Sequence, residues 1–369
     1  MVKYPLIDFT VNPMEIVRVG FIGLGSRGLA AIERFTHIEG ARIAAICDVE
    51  KDALSRASGL LDYSRGVSEY SGNDAWKRLC ENPSLDLVYI CTDWLSHAEI
   101  ACYAMERGKH VAVEVPAATS VEDAVNLVRT AEKTKRHCLM LENCIYDVFE
   151  DTTCNMVKAG VFGDVYHAEG GYIHNLRYLN EWREAFNKVR KGDNYPTHGL
   201  GPICRLLEIN REDSLYSIVS TAYPTAGGNH TVSLIRTAKG KSIVLQHNIH
   251  AARPYSRMYQ FNGDKGHAAK YPVPTISLSS DSYLTEEQIK SMMKDYEPSY
   301  MAEVRAIMPE GAEDRRYMDY AMDYRLIYCL RNGLPLDMSV YDAAIWSCVS
   351  ELSHISIENG SQPVLFPEF

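Results

Sequence analysis

Val17-Arg18-Val19-Gly20-Phe21-Ile22-Gly23-Leu24-Gly25-Ser26-Arg27-Gly28 decides the fold. An apolar run of strand composition passes into G-x-G-x-x-G, and Leu29, Ile32 and Phe35 follow at helical spacing. Gly23, Gly25 and Gly28 serve a tight turn, a close approach of backbone to a pyrophosphate, and packing of helix on strand. The helix N terminus adds unpaired N–H groups and the positive end of its dipole. Ala41 to Asp48 reads as a second strand. Its terminal acid stands about twenty residues past the motif, where a carboxylate binds a ribose 2′-hydroxyl and would repel a 2′-phosphate. The expected cofactor is therefore NAD rather than NADP.

Outward from this unit, strands are expected at Leu87–Thr92, His110–Glu114 and Cys138–Leu141, with a helix from Glu99 to Gly108. Ser120-Val121-Glu122-Asp123 has the form of a capping box, and Ala124, Leu127, Val128 and Ala131 continue at helical spacing. The alternation implies an α/β protein with an N-terminal Rossmann domain, a doubly wound parallel sheet. Trp94, His97, Glu114, Val115 and Asn143 all follow strands at their carboxyl ends, where open α/β sheets bind ligands. Beyond residue 146 the pattern changes: Ser242 to Ile249 alternates polar and apolar residues, as in an antiparallel sheet with one wet face. The expected domains are 1–145, binding NAD, and 146–369, binding substrate. The second is an α+β domain on an open, largely antiparallel sheet, and the helix around Tyr341–Trp346 could return to the first domain.

Composition narrows the function. The net charge of −10 over 369 residues argues against nucleic acid as a partner, and no apolar run is long enough to span a bilayer. The ten cysteines form no CxxC pair and read as buried free thiols. Met1-Val2-Lys3-Tyr4 opens no visible leader. The expected location is the cytoplasm, or the periplasm or cell envelope where an export leader has been removed. HExxH, nucleophile-elbow and P-loop motifs are missing, and His247 and His250 lack a third ligand at metal spacing, so no metal is expected.

The chemistry is carried by Tyr195-Pro196-Thr197-His198-Gly199-Leu200-Gly201-Pro202. If Pro196 opens a helix, Tyr195 and His198 share one face, and both side chains move protons near neutral pH when suitably tuned. Gly199 and Gly201 are expected to let a ligand or the cofactor ring approach the backbone. Tyr172-Ile173-His174-Asn175-Leu176-Arg177 and Trp182-Arg183 add aromatic faces and hydrogen-bonding groups suited to a pyranose.

Together the N-terminal fingerprint and Glu114-Val115-Pro116 resemble the glucose–fructose oxidoreductase/inositol dehydrogenase superfamily. Within it, Gly23–Gly28, Gly108–Ala118, Leu141-Glu142-Asn143-Cys144 and Tyr195–Pro202 resemble glycoside hydrolase family 109, the NAD-dependent α-N-acetylgalactosaminidases. The likeness runs on through Gly333–Asp337 and Val340–Ala344. Dehydrogenase relatives carry Glu-Lys-Pro, whose lysine assists hydroxyl oxidation; Val115 stands in that place and cannot relay a proton.

The resemblance implies that Ser26, Arg27, Asp48, Trp94, His97, Glu114, Val115 and Asn143 contact NAD. It also implies that Tyr172, Arg183, Tyr195 and His198 contact the sugar, with Tyr271 a further candidate. The implied reaction is retaining and departs from the two-carboxylate scheme. The C3 hydroxyl gives hydride to a tightly bound NAD that is not consumed, the C2 proton leaves, the C1 group is eliminated, water adds and the hydride returns. His198 would accept the C3 hydroxyl proton, Tyr195 or Tyr172 would act at C2, and Arg183 would anchor the substrate. The substrate would be a small glycoside or glycan terminus, and the protein a homo-oligomer. Rival readings are an NAD-dependent sugar or polyol dehydrogenase and a non-catalytic NAD-binding sensor. Three departures stand out: Asp93 in place of a proline, Asn175 in place of Asp, and Glu313–Asp319 without a His-Gly-Gly run.

Overall fold

The computed structural model describes residues 4–62, 66–176, 179–225, 228–309 and 314–369. Of the residues named above, Met1, Val2, Lys3, Arg177 and Glu313 lie outside them. The chain divides into two units. One takes the residues up to Leu141 with Glu303–Ala344 and Phe369; the other takes Glu142–Ala302 and Ile345–Glu368.

In the first unit, β1 (Val17–Ile22), β2 (Ala41–Asp48), β3 (Ser68–Ser71), β4 (Leu87–Ile90), β5 (His110–Val113) and β6 (Cys138–Met140) form a sheet in the order β3-β2-β1-β4-β5-β6. Every neighbouring pair is parallel, and helices such as Ser26–Phe35 and His97–Glu106 make the crossovers. The order reverses at β1 and β4, the switch point at which such sheets bind nucleotides. β4 and β5 are buried at every residue, as a sheet covered on both faces requires. Ser120 caps the helix Val121–Thr134 by accepting from the Asp123 N–H at 3.1 Å, and Ala124, Leu127, Val128 and Ala131 are its buried face.

The first unit also takes back a later segment, longer than the expected return around Tyr341. The cause is polar as well as apolar. Asp323, on the helix Asp314–Asn332, is fully buried, accepts from Arg34 Nε at 2.7 Å and from the Tyr89 hydroxyl at 2.9 Å, and pairs with a cation that has almost no access to water. Tyr341 donates to Glu132 at 2.6 Å.

In the second unit, β7 (Val165–Ile173), β8 (Leu215–Thr225), β9 (Gly228–Thr237), β10 (Ser242–Asn248), β11 (Gln260–Gly263), β12 (His267–Ala269), β13 (Thr275–Ser277) and β14 (Val364–Leu365) are ordered β13-β12-β11-β7-β10-β9-β8-β14. β7 and β10 pair in parallel; the other neighbours are antiparallel. The helix Thr197–Leu206 lies against β7 at backbone contact. A Cβ on Gly199 would come 2.3 Å from the Gly171 nitrogen, and one on Gly170 would come 2.2 Å from the Gly199 oxygen. A Cβ on Gly201 would meet Trp346 and Glu142 at 3.0 and 3.1 Å. The space at Gly199 and Gly201, expected to admit a ligand, is filled by the protein itself. These glycines set the helix depth.

Among the described residues no helix is long and apolar enough to cross a membrane. All ten cysteines are free, and all but Cys91 and Cys102 are buried.

Asp323→Ala removes the near partner of the buried Arg34 cation and leaves it Asp319, at 3.9 Å. Its expected cost is about 3–5 kcal/mol, read as an earlier first transition in urea unfolding; an unchanged transition would mean that this contact does not hold the returning helix.

Candidate active site

The first unit carries a dinucleotide cradle at the carboxyl end of β1. Gly23 has φ +88°, and a Cβ there would strike the Cys91 carbonyl at 2.5 Å; one on Gly28 would lie 2.0 Å from the Gly23 oxygen. At Gly25, by contrast, a Cβ would meet nothing within 4 Å, so this backbone faces open space. No side chain caps the helix that begins at Ser26, which leaves its first-turn amides for an anion. Asp48 is tied to the turn: Oδ2 accepts from the Leu24 N–H at 2.6 Å and Oδ1 from the Glu50 N–H at 2.8 Å. A carboxylate fixed beside a glycine turn fits the ribose diol of NAD. The residues present therefore fit the cofactor, with Ser26 and Gly25 at the phosphates and Asp48 at the ribose.

Other residues of the NAD set have defined partners. Arg27 donates through Nε to Glu114 at 2.8 Å and faces Asp319 at 3.4 Å, so both Arg27 and Glu114 are oriented by ion pairs. Val115 and Trp94 are nearly buried. His97 has no exposed surface, and its ring nitrogens face the carbonyls of Pro116 at 2.8 Å and Thr92 at 3.1 Å. Burial lowers its pKa. His97 therefore ties two loops together, and its influence on a cofactor runs through that backbone.

The second unit holds the tyrosine and histidine side chains that the sequence marks as proton-transfer candidates. Pro196 precedes the helix Thr197–Leu206, and the His198 ring lies 4.8 Å from that of Tyr195, edge to face. Tyr172, at the end of β7, is 5.0 Å from Tyr195 and 5.4 Å from His198. Arg183 lies over the Tyr195 ring at 4.6 Å and hydrogen-bonds the Tyr172 hydroxyl. Burial raises the Tyr172 phenol, with Arg183 pulling the other way, so Tyr172 is a proton donor at neutral pH.

His198 rests on a residue to which the sequence reading gave no role. Glu142, fully buried, accepts from His198 Nδ1 at 2.8 and 2.9 Å and from the Cys144 N–H at 3.0 Å. Burial alone would raise this carboxyl; the His198 charge and hydrogen bond and the Cys144 N–H outweigh it and hold Glu142 below its ordinary value. A carboxylate can only accept, so Nδ1 is the donor in this contact and Nε2 is left outside it. Asn143 follows Glu142 and begins the short turn Asn143–Tyr146.

Tyr255 was also missed. Its ring lies 6.0 Å from Tyr172 and 5.2 Å from His174, and its hydroxyl accepts from Arg257 at 3.3 Å. Arg257 is buried among Asp147, at 2.9 Å, and Glu150, at 2.6 Å, with Lys270 completing the charge balance. Arg257 and Lys270 hold the Asp147 carboxyl, against its burial, down at about 2. Tyr271 meets the cluster through Tyr255, 6.4 Å away, so Tyr255 is the nearer wall residue. Two signals marked these positions: an acid closing an apolar strand at Glu142, and the density of charge and aromatics in Arg253-Pro254-Tyr255-Ser256-Arg257.

His247, weighed with His250 as a metal ligand, is buried behind Tyr172, and that burial pushes its pKa down to about 3. Among the described residues one group does have metal-ligand composition. Glu142, Cys144 and His198 each offer a ligand atom, all within 4.8 Å of one another.

A glycine-turn cradle on a doubly wound sheet, followed by a unit built on an open sheet, is the layout of a protein that binds a nicotinamide dinucleotide. Residues 17–142 match the oxidoreductase family with an NAD-binding Rossmann fold, and residues 150–233 and 226–369 match the glycosyl hydrolase 109 C-terminal domain. The chain belongs to glycosyl hydrolase family 109. A family 109 protein of Bacteroides fragilis is 46% identical over 406 residues, covering 99% of this chain and 87% of its own. An alpha-N-acetylgalactosaminidase of the same species is 45% identical over 400 residues, 97% of this chain and 92% of its own. Among solved structures, scyllo-inositol dehydrogenase from Lactobacillus casei with NAD(H) and scyllo-inositol aligns with TM-score 0.72 at 15% identity. It covers 95% of this chain and 99% of its own. Levoglucosan dehydrogenase with NADH and L-sorbose aligns with TM-score 0.75 at 15% identity, over 96% and 100%. These two show the fold.

Glu142→Gln keeps the size of the side chain and removes its charge. Turnover is expected to fall about 10²–10⁴-fold with NAD binding unchanged, the pattern for losing a carboxylate that orients a catalytic imidazole; retained kcat would deny it that role. The sign of its pH dependence follows from its lowered pKa. The pair's contribution to stability is complete above the ordinary value of 4.5 and is lost as the pH falls through the lower folded value, which unfolding followed across acid pH reads directly.

Proposed function

We propose that the protein is a retaining exo-glycosidase that removes terminal α-linked N-acetylgalactosamine by oxidation, elimination and addition, with NAD kept and not consumed. The observation that carries the reading is the buried Glu142–His198 contact beside Tyr172, Tyr195 and Arg183 in a chain with an NAD cradle. The substrate follows the alpha-N-acetylgalactosaminidase that is 45% identical over most of both chains.

Bound NAD supplies reversible two-electron oxidation at the sugar's C3. His198 Nε2 takes the C3 hydroxyl proton, and Glu142 stabilises the imidazolium that forms. Tyr195 or Tyr172 handles the C2 proton, made acidic by the neighbouring carbonyl; Tyr172, held protonated, is placed to return one. Arg183 orients both phenols and offers donors to the sugar's oxygens. Val115 supplies no proton relay, which sets this reading against a dehydrogenase with net NADH release.

Incubation with 4-nitrophenyl N-acetyl-α-galactosaminide, with and without added NAD, tests the activity. The account expects nitrophenol release, no accumulating NADH absorbance, and loss of turnover in His198→Ala with NAD still bound. Sustained NADH production from free sugars, or undiminished glycosidase activity in His198→Ala, would overturn it.

A further inference from the structure

We propose that Glu142, Cys144 and His198 form a binding site for a thiophilic divalent cation, Zn²⁺ or Cd²⁺, and that its occupation switches the enzyme off. The three side chains supply a carboxylate oxygen, a thiol sulfur and an imidazole nitrogen, the donor set of borderline-soft metal sites. A carboxylate and a thiolate balance a doubly charged ion, and a fourth position stays open to water. Zn–S and Zn–N bonds of about 2.3 and 2.1 Å place tetrahedral ligand atoms roughly 3.5 Å apart. His198 and Glu142 already stand at 2.8 Å, and the full set lies within 4.8 Å, so closure to roughly 3.5 Å asks for no pair to shift by more than about 1.3 Å. Glu142 and Cys144 are buried and His198 is about 15% exposed, so the ion enters on the imidazole side.

Inhibition follows whichever ring nitrogen binds. Ligation at Nδ1 takes the place of the hydrogen bond to Glu142 and holds the neutral ring in its other tautomer, with its one N–H on Nε2, which can then no longer accept a proton. Ligation at Nε2 occupies the lone pair itself. The effect on rate rests on the role given to His198 above; the binding does not, and the two are read separately.

The test uses the NAD-loaded protein, titrated with Cd²⁺ while the ultraviolet cadmium–thiolate charge-transfer band is followed, and with Zn²⁺ while hydrolysis is followed. Cys144→Ala, which keeps the backbone N–H donated to Glu142, is compared with wild type, each against its own metal-free rate; Cys144→Ser serves if the alanine variant does not fold. Expected results are a saturable band in wild type that is lost in the variant, and Zn²⁺ inhibition weakened roughly tenfold or more, since even loss of a ligand's supporting partner costs 10–100-fold. Lack of the band in wild type, or equal band intensity in the variant, would overturn the site. Equal Zn²⁺ sensitivity with the band lost would overturn the switch. A wild type that hydrolyses nothing while the band behaves as expected would instead count against the proposed function.

Discussion

The contact between His198 and the buried Glu142 is the constraint on which the rest depends. A carboxylate without solvent is costly unless it is paired and fully hydrogen-bonded, so Glu142 demands its partners. It obtains them from His198 Nδ1 and the Cys144 N–H. The arrangement makes Nδ1 the donor to Glu142 and leaves Nε2 outside the pair. It also requires the helix Thr197–Leu206 to sit at one depth, which the backbone approach of Gly199 to Gly170 and Gly171 secures. Glycines that suggest room for a ligand are in fact what lets the helix that carries His198 close on β7.

Around that contact, charge is balanced at each step away from solvent. Arg257 answers Asp147 and Glu150 and fixes Tyr255; Arg34 answers Asp323 in the first unit. These ions are buried or nearly so, and each group balances its charge internally, with Lys270 shared by Asp147 and Glu150 and Asp319 a second acid near Arg34. Of the site's tyrosines, Tyr255 is held by Arg257, and Tyr172 and Tyr195 are held by Arg183.

The sheet of the first unit was readable because it is governed by local signals: a glycine turn after an apolar run, an acid closing the next strand, and a cap before a periodic helix. Tyr195, His198, Tyr172 and Arg183 were likewise legible as a set, since aromatic and basic side chains gather there, and the structure brings them together. Glu142 and Tyr255 were not given roles, because their meaning is non-local. Glu142 faces a histidine 56 positions away, and Tyr255 is oriented by Arg257, whose own partners lie more than 100 positions back. The reading of Gly199 and Gly201 failed for the same reason, since the occupant of the space they leave belongs to other parts of the chain. Residues 303–344 return to the first unit through Asp323, which no period in the sequence announces.

The central claim is that a base held by Glu142 allows the glycosidic bond to leave by elimination after oxidation at C3. Hydrolysis of an N-acetyl-α-galactosaminide in deuterium oxide, with the released sugar read by proton NMR, tests it most directly. The account predicts deuterium at C2 and retained configuration at the anomeric carbon when the product is first formed. Cleavage that leaves the C2 proton wholly unexchanged would contradict it.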